Sequence, residues 1–375
     1  MKKITAIILA GGKSSRMNGP FKPLLPVGDT PALERCVGMF RQAGVNEILC
    51  VTGHNHRVLS ERLAALGVKE HLNPDHEEGM FSSIQAGVSQ LDPSCAAFFV
   101  LPVDIPLVRR STVERLCEAW HKGKKTILYP VFRDKRGHPP LIPAAHAGEI
   151  LAFQGDGGLR AVLAGHEAEA LDIPVADECM LMDMDTMDDY RLINETYKRY
   201  EIPSADECRA LMTDVLGVKE SIIDHCRAVA DVAVGLGEEI NRCGGSLDLP
   251  LLKAAALLHD LARHQKNHAR SGALLLRGMG FPAVAEIVAV HMEMPPDGTR
   301  SNEISEAEVL FLADKHVSGT RRVTLGERFG AGMKKYGHDP EAAQAIERRH
   351  RAAMDIERKI GACIHRDLSD EAWRD

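Results

Sequence analysis

Ile4-Thr5-Ala6-Ile7-Ile8-Leu9-Ala10-Gly11-Gly12-Lys13-Ser14-Ser15-Arg16-Met17 decides how the first half of the chain reads. The apolar run 4–9 is the pattern of a strand covered on both faces. It stops at a glycine pair, and glycine lets backbone N–H groups approach a ligand closely. Lys13, Arg16 and, a little further on, Lys22 place positive charge beside that turn. A planar guanidinium at Arg16 suits bidentate contact with phosphate oxygens, while Lys22 is a mobile point charge. The upstream glycine of a Walker A loop is missing, and so is the GxGxxG of a dinucleotide site. On the glycines alone, an ordinary strand-to-helix turn is the better reading.

Outward from this stretch, strand-like and helix-like segments alternate to about residue 195. Segments 47–52, closed by Gly53, and 96–103, ending in Asp104, read as strands, as do 127–132 and 140–143. Segments 31–43, 83–91 and 111–121 read as helices. Leu33, Val37 and Phe40 share a face of the first, and Ser111 is a candidate cap for the last. The alternation predicts an α/β domain: a Rossmann-like, mostly parallel sheet with helices on both faces. Ligands bind such sheets at the carboxyl ends of strands, where Gly11, Gly53 and Asp104 fall.

From about residue 205 the strand patterns vanish. Segments 221–239, 249–263, 269–279, 284–291 and 305–316 have helical periodicity, and Pro250 sits where a first turn tolerates proline. The charged tail from about Gln344 reads as a solvated helix. Domains are expected over 1–198 and 205–370, joined by the short polar stretch Tyr200-Glu201-Ile202-Pro203-Ser204. A length of 375 residues fits two domains better than one.

Composition excludes several classes. A net charge of -7 leaves no electrostatic footprint for nucleic acid, so none is expected as a partner. No apolar run reaches membrane-spanning length, so no membrane association is expected. The opening Met1-Lys2-Lys3 with its apolar run imitates a signal peptide, but the run is short and ends in glycines instead of a cleavage site. Nine cysteines without a CxxC pair point to reduced thiols and a cytoplasmic setting. Cys226 and Cys243 read as packing residues.

The glycine stretch does not stand alone. It is followed by Phe21-Lys22-Pro23-Leu24-Leu25-Pro26-Val27-Gly28, Asn73-Pro74, Glu78-Gly79-Met80-Phe81-Ser82-Ser83-Ile84 and Pro102-Val103-Asp104-Ile105-Pro106. Arg136-Gly137-His138-Pro139, Gly155-Asp156-Gly157-Gly158 and Asp183-Met184-Asp185-Thr186 complete the series. Together, over residues 1–195, these blocks resemble the nucleotidylyltransferases that attach a nucleotide to the molybdenum cofactor. The resemblance implies a fold of the nucleotide-diphospho-sugar-transferase type. It implies a nucleoside triphosphate and a molybdopterin-type cofactor as substrates, Mg²⁺ as cofactor, and a molybdenum hydroxylase as receiver of the product. It places the nucleotide on Leu9, Ala10, Gly11, Gly12, Lys13, Arg16, Lys22, Gly79 and Ser82, with Lys22, Asp104 and Arg16 catalytic. Asp104 holds metal on this reading. Asp185 is either a second metal contact or the cap of the next helix. His138 and His54 are each open between substrate contact and packing. Ala10-Gly11-Gly12 has the form common among guanosine-using relatives, whereas Arg136-Gly137-His138-Pro139 looks like the cytidine branch; cytidine is favoured.

A second constellation lies downstream: His225, the pair His259-Asp260, and Asp314. Imidazoles and carboxylates on facing helices can converge on one divalent ion. In that order, with Arg227, Ala230 and Lys315 beside them, the residues resemble the HD family of metal-dependent phosphohydrolases over about 205–330. The resemblance implies an all-α HD domain, with Asp260 catalytic and His225, His259, Asp260 and Asp314 as metal ligands. His268 and His291 sit where dinuclear members carry extra ligands, and a second ion would make a two-metal clamp. A histidine-rich set suits one or two transition metals such as Mn²⁺ or Fe²⁺. The chain thus reads as a bifunctional enzyme. The alternative is a nucleotidyltransferase for a sugar or alcohol phosphate, with the HD half as a regulatory nucleotide-binding module.

Overall fold

The computed structural model describes residues 3–12, 17, 21–295 and 303–369. The chain divides into two compact units, Met1–Tyr200 and Glu201–Asp375.

The first unit is built on an eight-stranded sheet: β1 Lys3–Ala10, β2 Glu47–Thr52, β3 Lys69–Leu72, β4 Cys95–Pro102, β5 Leu128–Phe132, β6 Lys135–Arg136, β7 Leu141–Pro143 and β8 Leu171–Pro174. Its order is β8-β5-β7-β4-β1-β2-β3, with β6 paired to β5. β1, β2, β3 and β4 run parallel, as do β5 and β8, while β7 is antiparallel to both its neighbours. Alternation along β4 shows why both faces are covered. Phe98 packs with Ile7, Leu9, Val51 and Ile84 on one side. Phe99 turns to the other and meets Phe40 of the Ala32–Gln42 helix at 5.6 Å between ring centroids.

The Met80–Val88 helix starts three residues before the expected one because Gly79 turns the chain at φ 100°. It seats on the sheet through Gly87, where an added Cβ would lie 2.7 Å from Ile7 Cγ2 and 2.9 Å from Val51 Cγ2. On its far side, Gln85 Nε2 donates to the carbonyls of Ile150 and Phe153 at 3.0 and 2.9 Å, serving the open end of the Ala147–Ala152 helix.

Ser111 is not a cap. The helix Arg110–His121 begins one residue earlier, and Asp177 caps it from a distance. One oxygen of Asp177 accepts from Arg109 N at 2.8 Å and from Thr112 Oγ1 at 2.7 Å. β3 and β8 lie in segments whose alternation was too weak to read, Lys69-Glu70-His71-Leu72 and Leu171-Asp172-Ile173-Pro174.

The second unit is helical, with one small hairpin, Val317–Ser318 against Arg321–Arg322, where no strand was expected. Its central element is Glu306–Lys315, started by a capping box between Ser305 and Glu308 and buried from Glu308 to Lys315. The long Glu220–Arg242 helix packs against it with Val229, Ala233, Leu236 and Ile240 buried. The helix expected over 249–263 ends at Leu258, and residues 259–264 form tight turns. The tail is not merely solvated. Its Pro340–Ile364 helix buries Ala353, Ile356 and Ile360, and Lys359 Nζ reaches the buried Glu308 carboxylate at 2.8 Å. Cys226 is buried as expected, but Cys243 is exposed at the end of its helix. Among the described residues, no helix is long and apolar enough to cross a membrane.

Two glycines in helices of the first unit separate packing from propensity. Gly87→Val is expected to cost about 1–3 kcal/mol by overpacking. Gly38→Ala, in the Ala32–Gln42 helix with nothing within 4 Å of the new Cβ, is expected to add roughly 0.4–1 kcal/mol. Urea midpoints followed by far-ultraviolet circular dichroism measure both.

Candidate active sites

The first site forms where β1 and β4 end. Backbone hydrogen bonds knit this edge: Val103 N donates to Leu9 O at 3.0 Å and His54 N to Gly11 O at 3.2 Å. A pocket of about 320 Å³ opens there, lined by Leu9, Ala10, Gly11, Gly12, Lys22 and Asp104, with Gly79, Met80 and Ser83 from the next helix and His76 before it. Among the described residues, nothing lies within 4 Å of where a Gly12 Cβ would sit. The free N-terminus of the Met80–Val88 helix, which has no side-chain cap, adds unpaired N–H groups to the same wall.

Lys22 is the hub of the charged edge. Its Nζ donates to Asp104 Oδ2 at 2.9 Å and to Asp185 Oδ1 at 2.8 Å. Met184 N donates to Asp104 O at 2.9 Å, which brings the Asp183-Met184-Asp185 stretch alongside. Burial alone would lower the Lys22 pKa, but the hydrogen bond to Asp185 and the charge of Asp104 raise it above its ordinary value. Burial and then the charges of Asp185 and Asp104 push Asp183 upward. Two carboxylates converging on one cation form a donor set that a hard divalent ion also fits. Asp185 does not cap the following helix, since Thr186 does so in a capping box with Asp189.

Among the described residues, one expected residue stands elsewhere. Ser82 does not line the pocket; it accepts from Asn73 Nδ2 at 2.9 Å and lies 2.9 Å from the Asp75 and Gly79 carbonyls, bracing the loop. Ser83 takes the pocket position instead. Helical spacing from Gly79 could have found it, because residues 79, 80 and 83 share a face. Lys13 and Arg16 lie outside the described residues. Arg136 turns to Glu167 and Asp172 over the Tyr129 ring, whereas His138 is largely enclosed and burial lowers its pKa.

The second site brings together all six of its expected residues. His225 comes from the Glu220–Arg242 helix, His259 and Asp260 from the turn after Leu249–Leu258, and His268 from the start of His268–Gly278. His291 ends Pro282–Val290, and Asp314 lies on the buried Glu306–Lys315 helix. Three imidazoles are oriented by main-chain carbonyls, which can only accept. The Nδ1 of His225 donates to Gly319 O at 2.8 Å, that of His259 to Ala256 O at 2.8 Å, and that of His291 to Val288 O at 2.7 Å. For His259 and His291 the tautomer this requires leaves Nε2 lone pairs facing inward, whereas the bond of His225 Nε2 to Asp314 raises the His225 pKa despite burial.

The inward Nε2 atoms meet carboxylates. His225 Nε2 is 3.2 Å from Asp314 Oδ1, and His259 Nε2 is 3.6 Å from Asp260 Oδ2 and 3.8 Å from Asp314 Oδ1. On the other side, His268 and His291 Nε2 lie 3.1 and 3.5 Å from Asp260 Oδ1. Nε2 of His259, His268 and His291 is buried without a well-aligned hydrogen bond. A buried acceptor facing another acceptor is costly unless a proton or metal stands between them. His225, His259 and Asp314 form one group with ligand atoms within 4.8 Å of one another, and His259, Asp260 and His291 form a second.

Electrostatics favour the same picture. Burial pushes His259 down to about 4, so its imidazole is neutral at neutral pH, as a metal ligand must be. Burial alone would raise both aspartates. Contacts with His268 and His291 instead hold Asp260 below the carboxylate range, and the charge of Lys315 does so for Asp314. Lys315 Nζ donates to Asp314 Oδ2 at 2.6 Å and to His291 O at 3.1 Å. Arg263 Nη1 donates to both oxygens of Asp260, at 2.9 and 3.1 Å. Arg263 and Arg328 (4.0 Å from Asp314 Oδ1) are cations at this centre that sequence reading missed. Arg263 was legible as the residue three after Asp260, one turn on; Arg328 had no local signal.

Comparison with known proteins agrees with this division. Residues 6–170 match the family model of the MobA-like NTP transferase domain, and residues 222–318 match that of the HD domain. The chain therefore joins a nucleotidyltransferase-like domain to an HD domain, and the HD domain implies divalent metal binding. Over 137 residues, 36% of the chain, it is 32% identical to the bifunctional protein GlmU of Cellvibrio japonicus, a match spanning 30% of that relative. An uncharacterized protein of Methanocaldococcus jannaschii is 26% identical over 143 residues, 34% of this chain and 84% of that protein. Among solved structures, Rv0371c of Mycobacterium tuberculosis has a TM-score of 0.47 at 27% identity, covering 52% of this chain and 98% of its own.

If two ions share Asp260, removing it empties the centre, whereas removing a ligand on one side empties half. Asp260→Asn is expected to lose all metal from the HD centre, and His268→Ala one of two equivalents. Metal content after Mn²⁺ loading and desalting, counted by plasma emission, reads the difference.

Proposed function

We propose that the first unit transfers a nucleotide, from CTP in preference to GTP, to a molybdenum cofactor with release of pyrophosphate, and that the second is a metal-dependent phosphohydrolase. The observation that carries the transferase reading is Lys22, bonded to both Asp104 and Asp185 beside the Gly11-Gly12 pocket. The ordered sequence blocks support the acceptor, and Arg136-Gly137-His138-Pro139 supports the base. A molybdenum hydroxylase is then the receiver of the product.

The chemistry asks little covalent work of the protein. An oxygen of the acceptor phosphate attacks the α-phosphorus, and the bond to the bridging oxygen of pyrophosphate breaks. Backbone N–H groups around Gly11 and Gly12 hold phosphate oxygens, and the Met80–Val88 helix N-terminus favours negative charge on the same side. Asp104 and Asp185 would hold magnesium, whose contribution is to neutralise triphosphate charge. Lys22, at the edge of the same pocket, would balance the charge gathering on the leaving pyrophosphate.

In the second unit, His225, His259, Asp260 and Asp314 would hold one ion, and His268 and His291, sharing Asp260, another. Metal there would supply Lewis-acid activation of a phosphoryl group and of water. Arg263 and Arg328, the cations beside Asp260 and Asp314, would receive phosphate oxygens of the substrate. Phosphoesters and phosphoanhydrides are the expected substrate class.

Pyrophosphate release by the full chain with Mg²⁺, molybdopterin-type cofactor and either CTP or GTP tests the first half. Release with CTP is expected, abolished in Asp104→Ala and slowed on the order of 10²–10³-fold in Lys22→Ala. Release with neither nucleotide would remove this acceptor. Hydrolysis of bis(p-nitrophenyl) phosphate with Mn²⁺ tests the second half. His259→Ala is expected to abolish it while leaving pyrophosphate release intact. A metal-loaded chain that cleaves no phosphoester, anhydride or nucleotide would make the HD half a binding module.

A further inference from the structure

A second histidine–carboxylate cluster lies on the first unit, and it shares no residue with the Gly11-Gly12 pocket. His146 ends the short Ala144–His146 turn, Glu149 stands one turn further on in Ala147–Ala152, and His166 follows the Gly158–Ala164 helix. His166 Nε2 is 2.6 Å from Glu149 Oε2, and His146 Nδ1 is 3.9 Å from the same oxygen. The two imidazole centroids are only 4.2 Å apart, with their planes at 58°. One ligand atom from each of the three residues lies within 4.8 Å of the others.

We infer that His146, Glu149 and His166 form a separate site for a borderline divalent transition metal, zinc above all, that clips the turn after residue 164 to the 147–152 helix. Two imidazoles and one carboxylate are the donor set that zinc takes when a fourth position is left to water. Imidazole nitrogen also discriminates against magnesium and calcium, which prefer oxygen alone.

The position gives the clip a consequence. Gln85, on the helix whose N-terminus walls the nucleotide pocket, is bonded to the carbonyls of Ile150 and Phe153. A metal that fixes the 147–152 helix therefore fixes the partner of that wall.

The test uses the full chain carrying His259→Ala and Asp260→Ala, which disables the HD centre, titrated with Zn²⁺ against a chromophoric chelator. One zinc equivalent is expected, lost on adding His146→Ala and His166→Ala and weakened by Glu149→Gln. Extended X-ray absorption of the bound zinc should show two imidazole ligands. The unfolding midpoint should rise with zinc only while both histidines are present. In the otherwise unmodified chain, the same two histidine substitutions should lower the zinc count by one. A folded chain that binds no zinc in the HD-disabled background, or an equivalent indifferent to His166→Ala, would reduce the cluster to a hydrogen-bonded surface pair and overturn the assignment.

Discussion

Two carboxylates brought together out of water repel one another unless positive charge stands between them. Both units are organised around that constraint. In the first, Asp104 at the end of a central strand and Asp185 from the last stretch of the unit meet at the ammonium of Lys22. In the second, Asp260 and Asp314 are ringed by four imidazoles, with Arg263, Lys315 and Arg328 behind them. The scaffold differs in each case: strand ends in one unit, a helix break and a buried helix in the other. What each scaffold must do is hold anionic groups closer than solution chemistry would allow, so that a cation is welcome.

The two centres solve the problem with different donors, and this sets what each can hold. Oxygen donors and a lysine on a part-exposed pocket edge suit a hard divalent ion. Inward-facing imidazoles, three of them fixed by a carbonyl at the opposite ring nitrogen, suit a transition metal. The helix break after Leu258 matters here. Had the helix continued to Arg263, as its periodicity suggested, Asp260 would continue the helix beyond His259, about 100° further round. The tight turn instead lets Asp260 face His268 on one side and His225 on the other.

Legibility followed the reach of the interactions. The Ile4–Gly12 strand and turn, the helical periodicity of the second half and the six HD residues were readable because each is declared by local pattern or by an ordered motif. β3 and β8 were not, because short edge strands rich in polar residues show little alternation. Ser111 misled because capping is usually local, whereas the cap here, Asp177, arrives from 68 residues away. Ser82 and Ser83 both accept from Asn73 Nδ2, and the helix phase set by Gly79 brings Ser83 to the pocket lining. Arg328 reaches Asp314 from a helix outside the recognisable motif, and His76 lines the pocket from a loop. Neither position carries a spacing that would announce it.

The long-range Asp177 cap also bears on how the molecule is made. A ribosome delivers Arg109 and Thr112 well before Asp177, and Lys22 some 163 residues before Asp185. During synthesis the sheet can assemble while the Arg110–His121 helix still lacks its cap and Lys22 lacks its second carboxylate. Both are supplied by the final twenty-odd residues of the unit, just before the chain turns to helices. The pocket beside Gly11 and Gly12 is thus completed late, when nearly all of its scaffold has already been made, and the helical half is made only once its predecessor can close.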